Sequence, residues 1–126
     1  MGFQDDWILR QIEIIARYVA NLVFNKREVR YEYESSEMLS ETDRLHLTLD
    51  MLVREGKIGE AEDLLFENLQ MTDKYIELAT DFYQTLNRMT DRELEEADFS
   101  RDEVYDGYID ILTRLGVPVE QFADRR

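Results

Sequence analysis

The chain has 126 residues, one histidine, no cysteine and a net charge of −14. It is the size of one domain, the absence of cysteine excludes disulfides and thiolate chemistry, and a single histidine excludes most imidazole-based zinc sites. The acidic excess opposes contact with nucleic-acid phosphates, while one proline and 35% charged residues favour long regular elements, so we expect a single all-α domain over 1–126 and no nucleic-acid partner.

The first predicted element is a helix over residues 6–25. Its apolar residues recur at steps of three and four, which places them on one broad face. They are Ile8, Ile12, Ile15, Val19, Leu22 and Val23. A second apolar edge runs beside that face and consists of Trp7, Ile14 and Tyr18. Because apolar side chains cover most of the circumference, this helix needs cover from several elements or from a second copy of the chain.

The segment after the first helix alternates polar and apolar residues. Val29, Tyr31 and Tyr33 fall on one side of it. Such alternation is typical of an extended strand, but the sequence offers no partner strand, and a lone strand is marginal in water. We therefore predict that residues 28–39 form an extended linker laid over the helices.

The later helices are marked by capping residues and glycines. Ser40, Thr72, Thr90 and Ser100 stand where a hydroxyl can accept a hydrogen bond from a helix start. Gly56 and Gly116 directly follow two of the predicted helices, where glycine commonly ends a helix. The predicted helices are 41–55, 60–69, 73–88, 91–97 and 101–115, with a final turn at 119–123. About five principal helices result, packed as antiparallel hairpins.

One hairpin carries a repeat-like pattern. Leu45, Leu52, Gly56, Ala61 and Leu65 resemble a helical hairpin of the tetratricopeptide type, which has a small residue where two helices cross and often a glycine at the turn. The resemblance covers residues 45–69. It implies tetratricopeptide-like packing in the middle of the chain.

Three stretches carry a broader resemblance. They are Asp-Trp-Ile-Leu-Arg-Gln-Ile at 6–12, Gly-Lys-Ile-Gly-Glu-Ala-Glu at 56–62, and the run from Phe82-Tyr83 to Phe99-Ser100. Over its whole length the chain is similar to a family of small, acidic, uncharacterised bacterial proteins, found mainly in Firmicutes, with a domain of unknown function. The resemblance implies a bacterial cytoplasmic helical protein and supplies no activity.

Membrane insertion and secretion are not expected. Arg10, Glu13 and Arg17 interrupt the apolar run of the first helix, which therefore falls short of the ~20 residues that span a bilayer. Asp5 and Asp6 stand where a signal peptide would carry positive charge. We therefore expect a cytoplasmic protein.

Candidate chemical sites are few. His46 with Asp43 and Asp50 forms a helical cluster, but a carboxylate-bridged di-iron site needs a second histidine, so we predict no metal and no cofactor. The acidic run over 93–106 lacks an apolar pocket that would raise one carboxyl pKa for acid catalysis. No phosphate-binding glycine loop or nucleophile elbow is present. We therefore expect a non-enzymatic protein.

The predicted interaction surface is aromatic and apolar. Trp7, Ile14 and Tyr18 are its centre, and Tyr31 and Tyr33 extend it. The extended segment or the C-terminal turn would cover it within one chain, whereas a second subunit would cover it in an assembly. We predict an adaptor or scaffold-like protein that forms a homodimer through the first helix. Membrane-surface binding is disfavoured because most of the chain is acidic.

A second interpretation is a small-ligand binder. It would use an aromatic cleft lined by Tyr75, Phe82, Tyr83, Tyr105 and Tyr108. A pocket of at least ~300 Å³ would favour a ligand, and a flat exposed patch would favour a protein partner.

Overall fold

The computed structural model describes residues 3–34 and 37–123. These residues contain helices and irregular segments but no strand, which confirms the all-α fold. The helices are α1 (Phe3–Phe24), α2 (Glu41–Arg54), α3 (Ile58–Glu67), α4 (Asp73–Arg88), α5 (Asp91–Glu96), α6 (Arg101–Arg114) and α7 (Glu120–Ala123). Within this described part, no helix is long and apolar enough to span a membrane.

Hydroxyl caps fix several helix starts. The Ser40 hydroxyl accepts from the Asp43 N–H, and the Ser40 N–H donates to the Asp43 carboxylate, both at 3.0 Å. Thr90 and Ser100 make the same reciprocal pairs at α5 and α6. These bonds satisfy N–H groups that have no partner inside the helix. The predicted caps are therefore confirmed.

The turn between α2 and α3 is shorter than the sequence predicts. Gly56 has φ 76°, a left-handed conformation that a residue with a Cβ adopts only with strain. α3 then begins at Ile58 rather than at Glu60, because Ile58 is completely buried and belongs to the first turn of the helix. α2 and α3 pack against each other as a helical hairpin.

α4 is the central helix of the fold. It contacts α1, α2 and α6, and α1 and α6 also contact each other. Its buried apolar side chains are Tyr75, Ile76, Leu78, Ala79, Phe82, Tyr83 and Leu86. α1, α4 and α6 therefore enclose the core, and the α2–α3 hairpin joins it through α4.

The chain between α1 and α2 lies along α4 in an extended conformation. Four polar residues on one stripe of α4 bind the backbone of this segment, which replaces the hydrogen bonds of a partner strand. The Gln84 amide donates to Val29 O at 2.8 Å, Tyr31 N–H to Asp81 at 3.1 Å, Glu32 N–H to Glu77 at 2.9 Å, and the Lys74 ammonium to Glu32 O. Residues 28–34 form no helix and lie along α4, and residues 35 and 36 of the predicted linker lie outside the described residues.

Candidate interaction surface

Three apolar side chains form a row along the exposed side of α1. Ile14 is 40% exposed and Leu22 is 53% exposed, and Tyr18 lies between them one turn from each. We call these three residues the outer edge of α1. With Arg17 and Asn21 they line a shallow depression of about 440 Å³. Apolar residues at this spacing form a continuous stripe on the helix surface, and its two ends, Ile14 and Leu22, are exposed.

Tyr18 is partly covered by the C-terminal segment. Its hydroxyl donates to the carbonyl oxygen of Pro118 at 2.6 Å, and its ring packs edge to face on Phe122 with centroids 5.2 Å apart. The C-terminal turn thus covers one side of Tyr18, as one of the two interpretations expects. Trp7 is also half-buried and packs against the core.

The predicted core face of α1 is wrong at Leu22. The periodicity assigned it to the buried set, but more than half of its surface is exposed. It stands one turn beyond Tyr18, at the margin of the buried face, and Val23 takes the core contact at this level. The outer edge of α1 is therefore Ile14, Tyr18 and Leu22 rather than Trp7, Ile14 and Tyr18. A helical wheel places Leu22 at the border of the core face, but only the packing shows that this border residue is exposed to solvent.

Tyr31 and Tyr33 belong to a different cluster. The Tyr31 ring stacks on His46 with centroids 4.5 Å apart, and the Tyr33 ring packs edge to face on both Tyr31 and His46. Tyr31 is buried, with its hydroxyl donating to Asp43 at 2.6 Å, whereas Tyr33 is 45% exposed. The contacts therefore join these two tyrosines to α2 and α4. They do not join them to the outer edge of α1 as one surface.

A chain of hydrogen bonds runs through His46. Its Nδ1 lies 2.8 Å from the Tyr33 hydroxyl and its Nε2 lies 3.0 Å from Asp81 Oδ2. Because the ionised Asp81 carboxylate can only accept, Nε2 carries the proton that is donated to it. Burial and the nearby carboxylates raise the pKa of Tyr33, so its hydroxyl stays protonated and is a poor nucleophile. The arrangement positions the extended segment rather than activating an attacking group.

Both carboxylates of this cluster stay ionised. The Tyr31 hydroxyl lowers the pKa of Asp43 against the opposing effect of burial, and the Ser40 N–H adds to the lowering. Burial alone would raise the pKa of Asp81, but hydrogen bonds from His46 and the Tyr31 N–H outweigh it and lower that pKa. Asp43 is thus fully engaged in capping and in binding Tyr31. The described residues contain no group of three or more acidic or histidine side chains arranged to hold a metal ion.

The five residues of the predicted aromatic cleft are buried in the core and do not line an open cleft. Tyr75, Phe82, Tyr83, Tyr105 and Tyr108 are each at most 5% exposed. Each hydroxyl has an internal acceptor, because a buried O–H without one is costly. The acceptors are Leu65 O for Tyr75, Glu62 for Tyr83, Phe122 O for Tyr105 and Thr80 for Tyr108. Their helical spacing is the spacing of core residues, and the sequence alone could not separate the two roles.

An acidic surface lies between α3 and α6. Glu62, Glu103, Asp106 and Asp110 line a depression of about 450 Å³ there. Burial raises the pKa of Glu62, opposed by the hydrogen bond from the Tyr83 hydroxyl. This surface contains the C-terminal part of the acidic run that the sequence assigns to a charged face.

Comparison with known proteins identifies a family without supplying an activity. No curated protein matches the chain, and no solved structure matches it. One family model, described as a family of unknown function (DUF6483), matches residues 2–116. That range contains α1 to α6 and ends before the segment that covers Tyr18. The chain belongs to this family of unknown function.

Proposed function

We propose that this protein is a non-enzymatic interaction protein, of the adaptor or scaffold kind, that self-associates through the outer edge of α1. The observation that supports the proposal is the exposure of Ile14 and Leu22 beside a core face of α1 that is completely buried at Ile8, Ile12, Ile15 and Val19. Exposed apolar stripes of this kind mark association surfaces. A twofold dimer would place each stripe against its own copy.

The size of the stripe sets a requirement on the interface. A standard interface buries about 800 Å² per partner. Three partly exposed side chains supply only part of that area, so flanking polar residues such as Asn21 must also be buried at the rim. Residues 1–30 contain five Lys/Arg and four Asp/Glu. Electrostatic repulsion between two acidic chains is therefore weakest where α1 meets α1.

Several further expectations form part of this proposal. The acidic charge argues against a nucleic-acid partner, and the absence of cysteine suits a bacterial cytoplasmic protein. Tetratricopeptide-like packing of the α2–α3 hairpin is supported by Ala61, which is completely buried, and by the left-handed Gly56 at the turn.

Light scattering on the purified protein tests the dimer. We expect about twice the chain mass of 15.1 kDa for the wild type and a shift to monomer for Ile14→Ser with Leu22→Ser. These positions are better probes than Trp7 and Tyr18, whose intrachain contacts would be lost with the side chain.

A pair on α2 provides the matched control. Leu47 and Met51 are 47% and 49% exposed and lie one turn apart, so Leu47→Ser with Met51→Ser removes a similar apolar area. The control should remain dimeric. A monomeric wild type at tens of micromolar, or a dimer that only the control disrupts, would contradict the proposal.

A further inference from the structure

We propose that the groove between α1 and the C-terminal end of α4 binds a small organic anion that carries hydroxyl or amino groups. The groove has a volume of about 760 Å³. Leu9, Ile12 and Met89 supply apolar surface, and Arg17, Arg27 and Arg88 supply cationic groups. We call it the arginine groove. Its volume lies within the range of small-molecule sites, about 300–1,000 Å³.

The three arginines form no direct ion pair within the described residues, although the charge of Arg88 helps to lower the pKa of Asp81. Acidic residues outnumber Lys and Arg by 29 to 15, yet Arg17, Arg27 and Arg88 form no ion pair within the described residues. Arginines on other helices do pair, as Arg54 does with Asp50 at 3.0 Å and Arg114 with Asp110 at 3.0 Å. A guanidinium group presents a planar set of donors that matches a carboxylate or phosphate. These three charges are therefore available to an anion in the groove.

A buried arginine fixes the structure of one end of the groove. Arg101 is 5% exposed and lines the arginine groove. Its guanidinium donates to Asn87 O at 2.8 Å, to Met89 O at 2.9 Å and to Asp91 at 2.7 Å. Its Nε is buried and has no acceptor among the described residues. Because that atom is closed off from the groove, Arg101 shapes this end of the groove through its partners Asn87, Met89 and Asp91 and is not itself a donor to a ligand.

The acidic residues of the groove define the rest of the ligand. Asp6 and Glu13 lie on the α1 wall, Glu28 lies beside Arg27 and pairs with Arg30 at 3.3 Å, and Asp91 pairs with Arg101 at 2.7 Å. Carboxylates accept hydrogen bonds but repel a purely anionic molecule. A ligand that fits both sets of side chains has an oxyanion for the arginines and hydroxyl or amino donors for the acids.

Titration calorimetry with two probes tests this site. Citrate represents a hydroxylated carboxylate and glucose 6-phosphate represents a hydroxylated phosphate, with inorganic phosphate as the comparison. We expect saturable binding of one organic probe. Saturation by citrate would identify the oxyanion as a carboxylate, and saturation by glucose 6-phosphate would identify it as a phosphate. Arg27→Gln and Arg88→Gln should each weaken it by about tenfold or more, the usual effect of losing a charge-assisted hydrogen bond.

The control variant is Arg10→Gln. Arg10 is exposed on α1 but does not line the arginine groove, so its loss removes the same net charge and should leave binding unchanged. Arg17 is left intact because it also borders the outer edge of α1, which keeps this test separate from the dimer test. Failure of both organic probes to saturate at millimolar concentration, equal binding of inorganic phosphate, or an equal loss in Arg10→Gln would overturn the proposal.

Discussion

The extended segment and the outer edge of α1 both carry large side chains near the surface, but only the extended segment has a full set of partners. Tyr31 is held at its ring by His46, at its hydroxyl by Asp43 and at its backbone N–H by Asp81. Leu22 has no comparable cover. The difference shows that polar groups on neighbouring helices hold Tyr31 inside the fold, whereas the aliphatic residues Ile14 and Leu22, which have no such partners, stay exposed.

The largest expected effect comes from removing Tyr31. Tyr31→Ala deletes a buried ring and leaves the Asp43 carboxylate without its tyrosine donor. We expect a loss of about 3–5 kcal/mol in the free energy of unfolding, as for other buried aromatics. Urea denaturation at one fixed protein concentration measures it. Tyr31→Phe keeps the ring and should cost only about 1–2 kcal/mol. Equal losses in the two variants would show that the hydroxyl, and not the packed ring, holds the segment.

A smaller effect is expected on acidification. The pKa values of Asp43 and Asp81 are lowered in the folded state, so their stabilisation is present above the unfolded-state pKa, ~3.9, and is lost as pH falls through the lower folded values. The free energy of unfolding should therefore decline below about pH 4. Asp81→Asn removes one of these titrations and should flatten the decline relative to the wild type. Parallel curves for the two proteins would contradict the assignment to Asp81.

The smallest effect on stability is expected at the outer edge of α1. Leu22→Ala in the monomeric state removes an exposed side chain, so the free energy of unfolding should change by less than about 0.5 kcal/mol. The measurement is urea denaturation at a concentration low enough for light scattering to show monomer. A loss above about 1 kcal/mol would mean that Leu22 packs within the chain, and the contrast with Tyr31 would disappear.

Local signals in the sequence predict most of the helices. The reciprocal caps at Ser40, Thr90 and Ser100 need only residues three positions apart, and the left-handed Gly56 needs only its own backbone. The start of α3 at Ile58 depends on burial against other helices, which a local pattern does not contain. Helix ends set by tertiary contacts are therefore the part that the sequence predicts least well.

The sequence also predicts the candidate site residues poorly, because tertiary packing decides which of them are buried and which lie together. Tyr75 and Tyr108 have the spacing of an aromatic cleft and equally the spacing of a core, and burial of both sides of α4 selects the core. The arginine groove is invisible in the sequence, because Arg17, Arg27 and Arg88 come from three separate segments. The polar residues of α1, such as Arg17, do not indicate in the sequence which other element packs beside them. Packing of α1 against α4 brings Arg17 and Arg88 to one groove, and the segment after α1 adds Arg27.

Arg101 has a consequence for the order in which the fold forms. It is the first residue of α6. Its side chain nevertheless donates its hydrogen bonds outside that helix, to the carbonyl oxygens of Asn87 and Met89 at the end of α4 and to Asp91 at the start of α5. The end of α4 therefore lacks these hydrogen-bond donors until α6 docks. We therefore expect the end of α4, α5 and α6 to open as one cooperative unit, so that amide hydrogen exchange in α5 reports the opening of α6 rather than local fraying.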